Sequence, residues 1–547
     1  MKITMPRAVS VGACLAVLPI LVNATPDATE RLGSVSFQTG CAPALTADFN
    51  RGVALLHDFW YEEARPQFER ILKADPACAM AHWGIALSSF HQIWERPGAE
   101  KMAAGWREMQ AAQAQPAKSA RERAYIAALS DFYRPGNEDY SVRIERYAAA
   151  LGKLYADYPQ DVDAGAFYAL ALIAAESPDD TSLSGEHKAM AVLTPLWKQY
   201  PDHPGLVHYI IHACDNPSMA ADGLAAANHY GEIAPSGPHA VHMPGHIYAR
   251  LGMWPQDIAV NRASVQASAA AEAHHESGAM DQFHSDDFLL YAYLQSGQDA
   301  NAKATIAAAN AAMEHFESMQ DMRASHYMSG MFPSVRAKFP IFYALEMRDW
   351  KAASALLPVK DAPPDTQAQV YWARTIADGH LHQAQQARSD LSAYDALVEE
   401  VKKGPNAYLA SGIGVRIRRD EMQGWVAFSE GNVTQAVEHL SAAADLQDKV
   451  GQGEVDIPAR EMLADVLLEA GRANEALVDY RQALALSPNR FNGLFGAGEA
   501  AEKAGDGAAA RGYYAALLKS TDNGSLTARA EVKHAQTFIS SATASAR

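Results

Sequence analysis

Apolar residues recur along this chain at three- and four-residue intervals, in runs of a dozen or more positions separated by short polar turns. That spacing puts the apolar side chains on one face of a helix. In residues 50–76, NRGVALLHDFWYEEARPQFERILKADP, the pattern predicts two helices, one before Trp60 and one over 61–74. Val, Ile and Thr are not clustered as strands require, and Ala-rich runs dominate, so helix is the expectation throughout. The sequence predicts turns or linkers at 133–141, 177–186 and 359–367, each carrying Pro or Gly. After Leu526 the pattern predicts helix to about Phe538 and a frayed Ser/Ala-rich end.

The helical runs are spaced evenly. Gly471, Ala476, Tyr480, Ala483 and Pro488 mark one unit, and Gly505, Ala510 and Tyr514 follow their counterparts by thirty-four residues. Gly424, Gly431, Ala436 and Ala443 mark another, and Gly52, Ala64, Phe68 and Pro76 an N-terminal one. These segments resemble tetratricopeptide repeats, helix–turn–helix units of about 34 residues. Small residues stand where the two helices cross closely, the turn Gly allows a left-handed backbone, and Pro ends the second helix. The motif is clear at both ends of the chain and degenerate between, where Ala302 and Ala353 hold the small-residue position of weaker units. The resemblance implies an all-α, right-handed solenoid of helical hairpins. The organisation read from the pattern is a leader over 1–24, a helical body over 25–358 with a histidine-rich groove, a linker over 359–367 and a repeat block over 368–547.

The leader changes the expected compartment. Lys2 and Arg7 precede an apolar run from Ala8 to Leu21, and Val22-Asn23-Ala24 is a small-residue cleavage site, as in a secretory signal. The run is too short for a membrane anchor and is broken by Pro19. Cleavage ahead of Cys14, as in a lipoprotein, is the lesser alternative because it leaves almost no apolar segment before the cysteine. With this leader the resemblance is to exported bacterial members, periplasmic or secreted. Removing 1–24 takes away Lys2 and Arg7 and no acid, so the formal charge moves from -18 to -20. Such a surface repels nucleic acid and anionic lipid. No later segment has the roughly 18 unbroken apolar residues of a membrane helix. In an oxidising compartment Cys41 and Cys78 can pair across the first hairpins. Cys214 reads as a small buried apolar residue or, less favoured, a metal ligand.

Candidate chemistry is concentrated in residues 203–250, which hold seven of the twenty histidines. His208-x-x-x-His212 and His242-x-x-x-His246 are thirty-four residues apart, as are Pro201 and Pro235. With one unit starting near Pro204 and the next near Pro238, each pair falls on the fifth and ninth positions of a first helix, with His239 at the second. Gly252 and Gly297 then take turn positions, and His284 and Asp287 fall on the first helix of a third unit. Residues at i and i+4 share a helical face. The resemblance implies that positions two, five and nine line the concave groove. Packed about 8–10 Å apart, the helices would let His208, His212, His242 and His246 converge on one ion, with His239 and His284 beside them. Zinc, copper, iron and nickel all suit imidazole. Asp215, Asp287 and Glu232 are the acids placed to ligate, to hold a histidine's other nitrogen, or to act as general base. Pro244 should kink the second of these helices.

Three alternatives stay open at this point: a metal site, a metal-free groove, or histidines with structural roles. His57, His82 and His91 could line a second cluster, but the favoured reading is structural, as it is for the Phe59-Trp60-Tyr61 cluster. No His-Glu-x-x-His, Walker loop, Gly-x-Ser-x-Gly or Cys-x-x-Cys motif occurs. The expected function is an exported repeat scaffold that captures a peptide or protein in its concave groove and carries a transition-metal site there. The alternative is a metal-dependent hydrolase or oxidoreductase on the same solenoid, with simple metal scavenging as a third reading.

Overall fold

A computed structural model describes residues 30–115, 119–177, 180–273, 279–318, 331–404, 407–452 and 455–545. The leader over 1–24 lies outside them. Among the described residues every regular element is helical, and consecutive helices form hairpins that stack side by side. The helices are those the periodicity predicts, and their stacking is the all-α solenoid that the resemblance implies. No described helix is long and apolar enough to cross a membrane.

The predicted N-terminal pair is present as Thr46–His57 and Tyr61–Ala74. Its small residues are there for packing: a Cβ added at Gly52 would lie 2.8 Å from the Phe68 ring, and one at Gly84 would lie 2.5 Å from it. The phenyl ring therefore sits in the gap that two glycines leave between crossing helices. Cys41 and Cys78 form a disulfide that fastens the segment ahead of the first helix to the start of the third, Ala79–Leu87. Cys214 is free and buried, with its sulfur against Met190, as its apolar reading requires.

In the middle of the chain the repeat frame holds. Helices Pro204–Cys214 and Ala220–Ile233 form one hairpin. The next first helix is divided by Pro244 into Pro238–His242 and Pro244–Arg250, and pairs with Trp254–Ala273. Ala279–Gln295 and Asp299–Ser318 form the third. Gly252 and Gly297 both have positive φ in the turns. The third unit begins a few residues earlier than the glycine spacing suggests.

Two large cores run through the stack, one from Leu32 to Ala271 and one from Trp254 to Ala535. The stretch predicted as a linker at 359–367 is a turn that enters helix Pro364–His380, whose Trp372 and Ile376 belong to the same core as Phe283 and Phe342. Apolar contact continues across it, because the solenoid buries each hairpin against its neighbours. The last helix, Ala530–Ser545, runs beyond Phe538.

The curvature of the array brings distant repeats together. The Trp254 indole donates to the carbonyl of Asn489 at 2.8 Å, and the Asn489 amide donates to the carbonyl of Gly252 at 3.2 Å. Nearby, the buried Arg490 guanidinium binds Glu461 and Glu346 at 2.9 Å each. The C-terminal repeats are thus clasped to the turn that follows the histidine-bearing helix.

Candidate metal centre

The six histidines predicted as ligands meet, but not as one four-histidine cage. They form two groups of three, His208–His212–His239 and His242–His246–His284, whose ligand atoms within each group lie within 4.8 Å of one another. Each group takes an i,i+4 pair from one first helix and a single histidine from the next. His239 joins the earlier pair because it lies one turn N-terminal to His242 on the kinked helix, nearer the neighbouring repeat.

The outer nitrogen of three rings is tied down. His208 Nδ1 donates to the carbonyl of His57 at 2.6 Å. His242 Nδ1 is 2.5 Å from Asn261 Oδ1, and the Asn261 amide nitrogen donates to Asp257 at 2.9 and 2.6 Å, which turns its oxygen toward the ring. His246 Nδ1 is 2.7 Å from Asp215 Oδ2, while Asp215 Oδ1 accepts from Arg250 at 2.9 Å. A carbonyl, an amide oxygen and a carboxylate can only accept, so in each ring the hydrogen is on Nδ1 and Nε2 presents a lone pair.

Two of those lone pairs face one another, with His242 Nε2 and His246 Nε2 2.9 Å apart; His284 Nε2 stands 3.3 Å from His246 Nε2, and His212 Nε2 3.0 Å from His208 Nε2. Two Nδ1–H imidazoles have no hydrogen to share between their Nε2 atoms. Ligands of one ion at bond lengths of about 2.0–2.1 Å stand roughly 2.9–3.4 Å apart. His239 is buried with neither ring nitrogen hydrogen-bonded, and Asp281 Oδ1 is 3.5 Å from its Nδ1. Burial pushes His208 down to about 3, and pushes His212, His239 and His242 well below the ordinary histidine range, with repulsion among the rings adding to it. These four imidazoles are therefore neutral at pH 7, the form that binds metals. Burial raises Asp215, but Arg250 and His246 outweigh that and hold its carboxylate at about 2.

The setting is a closed aromatic pocket rather than the open groove expected. His208 and His242 are fully buried, and only His212 and His284 reach partial exposure. Phe59 lies 4.4 Å from His208, 5.4 Å from His212 and 5.6 Å from His239 between ring centroids. Its backbone is left-handed, with φ 56°, a strained conformation for a phenylalanine. Phe288 stands 4.8 Å from His242 and 4.6 Å from His246, and Trp94 covers His239 at 4.9 Å. Phe59 thus walls the histidines besides packing the first hairpins.

Of the three candidate acids, Asp215 meets the cluster. Asp287 is engaged by the Lys338 ammonium. Glu232 is at the surface, 3.8 Å from His229 and away from the cluster, because it lies on the outward face of a second helix. Sequence reasoning missed Asn261, Asp281, Phe288 and the His57 carbonyl. The Asp257/Asn261 spacing of four and the Asp281/His284 spacing of three were the available signals.

A third group, His57–Asp163–His203, is also buried. Its bonding differs: Asp163 Oδ1 lies 3.0 Å from His57 Nε2 and 3.2 Å from His203 Nε2, so a carboxylate accepts from two rings, while His203 Nδ1 is buried without a hydrogen-bond partner. His57 Nδ1 pairs with the Tyr209 hydroxyl at 2.9 Å. Burial lowers His57 to about 4. The group anchors the carbonyl that orients His208. His82 and His91 pair with Glu108 and Glu95, as structural histidines do.

Stacked helical hairpins with turn glycines in left-handed conformation define the class, an all-α repeat solenoid. A tetratricopeptide-repeat family model matches residues 61–97 and 461–525, and those segments are tetratricopeptide repeats. No curated protein matches it. Among solved structures it is similar to yeast Tom70 (10% identity, covering 86% of this chain and 88% of that one, TM-score 0.31). It is also similar to the APC/C hetero-tetramer Cut9-Hcn1 (12% identity, covering 88% and 95%, TM-score 0.30). These likenesses carry no argument, and the fold rests on the hairpins themselves.

Proposed function

We propose that this is an exported tetratricopeptide-repeat protein whose solenoid holds transition-metal ions in two three-histidine groups. The carrying observation is the pair His242 and His246: acceptors hold both Nδ1 atoms, and the two Nε2 lone pairs face one another at 2.9 Å. A cation between them removes the repulsion and uses both. Three protein ligands per ion leave a position open, which favours reactive metal over a closed storage site. Export is supported by the Cys41–Cys78 bridge, which persists in oxidising compartments.

Elemental analysis of protein purified without a histidine tag tests the metal. Stoichiometric transition metal is expected, falling by about half in His208→Ala and in His242→Ala with helicity unchanged. Metal-free wild-type protein, or variants that keep its full metal content, would overturn the reading.

A second reading follows from a cavity of about 320 Å³ among the C-terminal helices, lined by Phe342, Trp372, Tyr394, Leu409 and Arg418. Its size and aromatic lining suit a peptide segment from a partner protein. A photo-reactive residue in place of Leu409 should form adducts with that segment; a clean result from cells producing the full chain counts against capture there.

A further inference from the structure

The two histidine groups share one pocket. The rings of His212 and His246 are 6.3 Å apart between centroids, and those of His239 and His242 are 6.0 Å apart. Within one group, His212 and His239 are also 6.3 Å apart. The boundary between the groups is therefore no wider than the spacing inside one, and ions in both would be neighbours, each short of a full tetrahedral set.

The ligand chemistry narrows the metal. All six ligands are imidazoles, and none is a carboxylate or thiolate. Around them the His57 carbonyl and Asn261 amide are uncharged, and Asp215 is paired with Arg250. Asp281 is the acid beside the first group. A buried pocket with so little negative charge disfavours a pair of bare dications, since uncompensated charge is expensive away from water. Two monovalent ions with a preference for nitrogen fit better, and imidazole suits copper. The walls, Phe59 and Phe288, are apolar and lie 4.4 Å from His208 and 4.6 Å from His246 between ring centroids.

We infer that the six histidines hold a pair of copper ions that together bind dioxygen. This rests on the metal reading above and adds the identity of the ions, their coupling and their ligand. In the binding step two Cu(I) ions each lose one electron and one O2 gains both, becoming peroxide. The O–O σ bond stays intact, no proton moves and no group leaves; release of O2 reverses the transfer. Each group alone supplies one electron, so neither suffices for the two-electron step.

The test uses the full chain, freed of metal, loaded with Cu(I) without oxygen and then exposed to air. Two coppers per chain are expected, with one O2 taken up per pair and no electron paramagnetic resonance signal, because the two Cu(II) spins couple. His239→Ala and His284→Ala each spare both i,i+4 pairs, and His284 is partly exposed, so its variant should fold. Each should lose half the copper, lose stoichiometric O2 uptake and show a Cu(II) signal. Two coppers with two independent Cu(II) signals, or no O2 uptake by the loaded wild type, overturns the pair while leaving the metal reading standing. Tight binding of zinc with exclusion of copper does the same. A chain that binds no transition metal overturns both.

Discussion

Asn261 holds its side-chain oxygen 2.5 Å from His242 Nδ1, and it does so from the second helix of the same repeat that carries His242. Its own orientation is set one turn away by Asp257, through bonds to the backbone and side-chain oxygens. The ring is thereby locked with Nε2 toward the pocket. Asn261→Ala should leave the fold intact and weaken metal affinity by about 10–100-fold, the usual effect of removing a partner behind a ligand. Competition with a chelator measures this; an unchanged affinity would show that His242 is not a ligand.

Histidines kept neutral by burial make the metal-free protein sensitive to acid. His57 has its pKa lowered to about 4, chiefly by desolvation, while the unfolded ring titrates near 6.5. As pH falls through that window the unfolded chain takes up the proton first. The contribution is therefore fully present above about 6.5 and is lost progressively down to about 4. One such group changes stability by about 1.4 kcal/mol per pH unit. His57→Gln should flatten the slope of urea-unfolding stability in this window by that amount. Equal slopes for variant and wild type would refute the assignment.

Gly252 sits at φ 62° against the C-terminal repeats, where an added Cβ would lie 2.2 Å from the Pro488 carbonyl oxygen. Gly252→Ala should destabilise by more than the roughly 1–2 kcal/mol of a left-handed alanine, because the contact with 488–489 must also open. Thermal unfolding together with small-angle scattering should show a lower midpoint and a more open array. A shift in neither measurement would contradict the clasp.

The Cys41–Cys78 bridge closes a separation of 37 residues. Reduction, or Cys78→Ser, should lower stability by about 2–4 kcal/mol. Urea midpoints with and without reductant check it, and identical curves would argue against the bridge.

Much of the fold was legible because a repeat array is built from local rules. Apolar spacing marks each helix, and the thirty-four-residue recurrence of Gly, Ala and Tyr marks each hairpin, so the clear units at the ends and the register of Gly252 and Gly297 could be read in order. The linker at 359–367 misled because a Pro-bearing turn looks the same within a continuous core as between domains. Which apolar faces meet across the turn is not written in its residues.

By itself the sequence determined that His208/His212 and His242/His246 occupy equivalent positions on successive helices, that Pro244 breaks the second, and that His239 and His284 are within reach. Only the tertiary structure decided how six rings divide. His239, one turn N-terminal to His242, joins the earlier pair, His284 joins the later one, and Asn261, Asp215 and the His57 carbonyl choose the tautomers of His242, His246 and His208. Helical periodicity sets which face a side chain is on, but the grouping of ligands depends on packing angles and on partners far away in the chain.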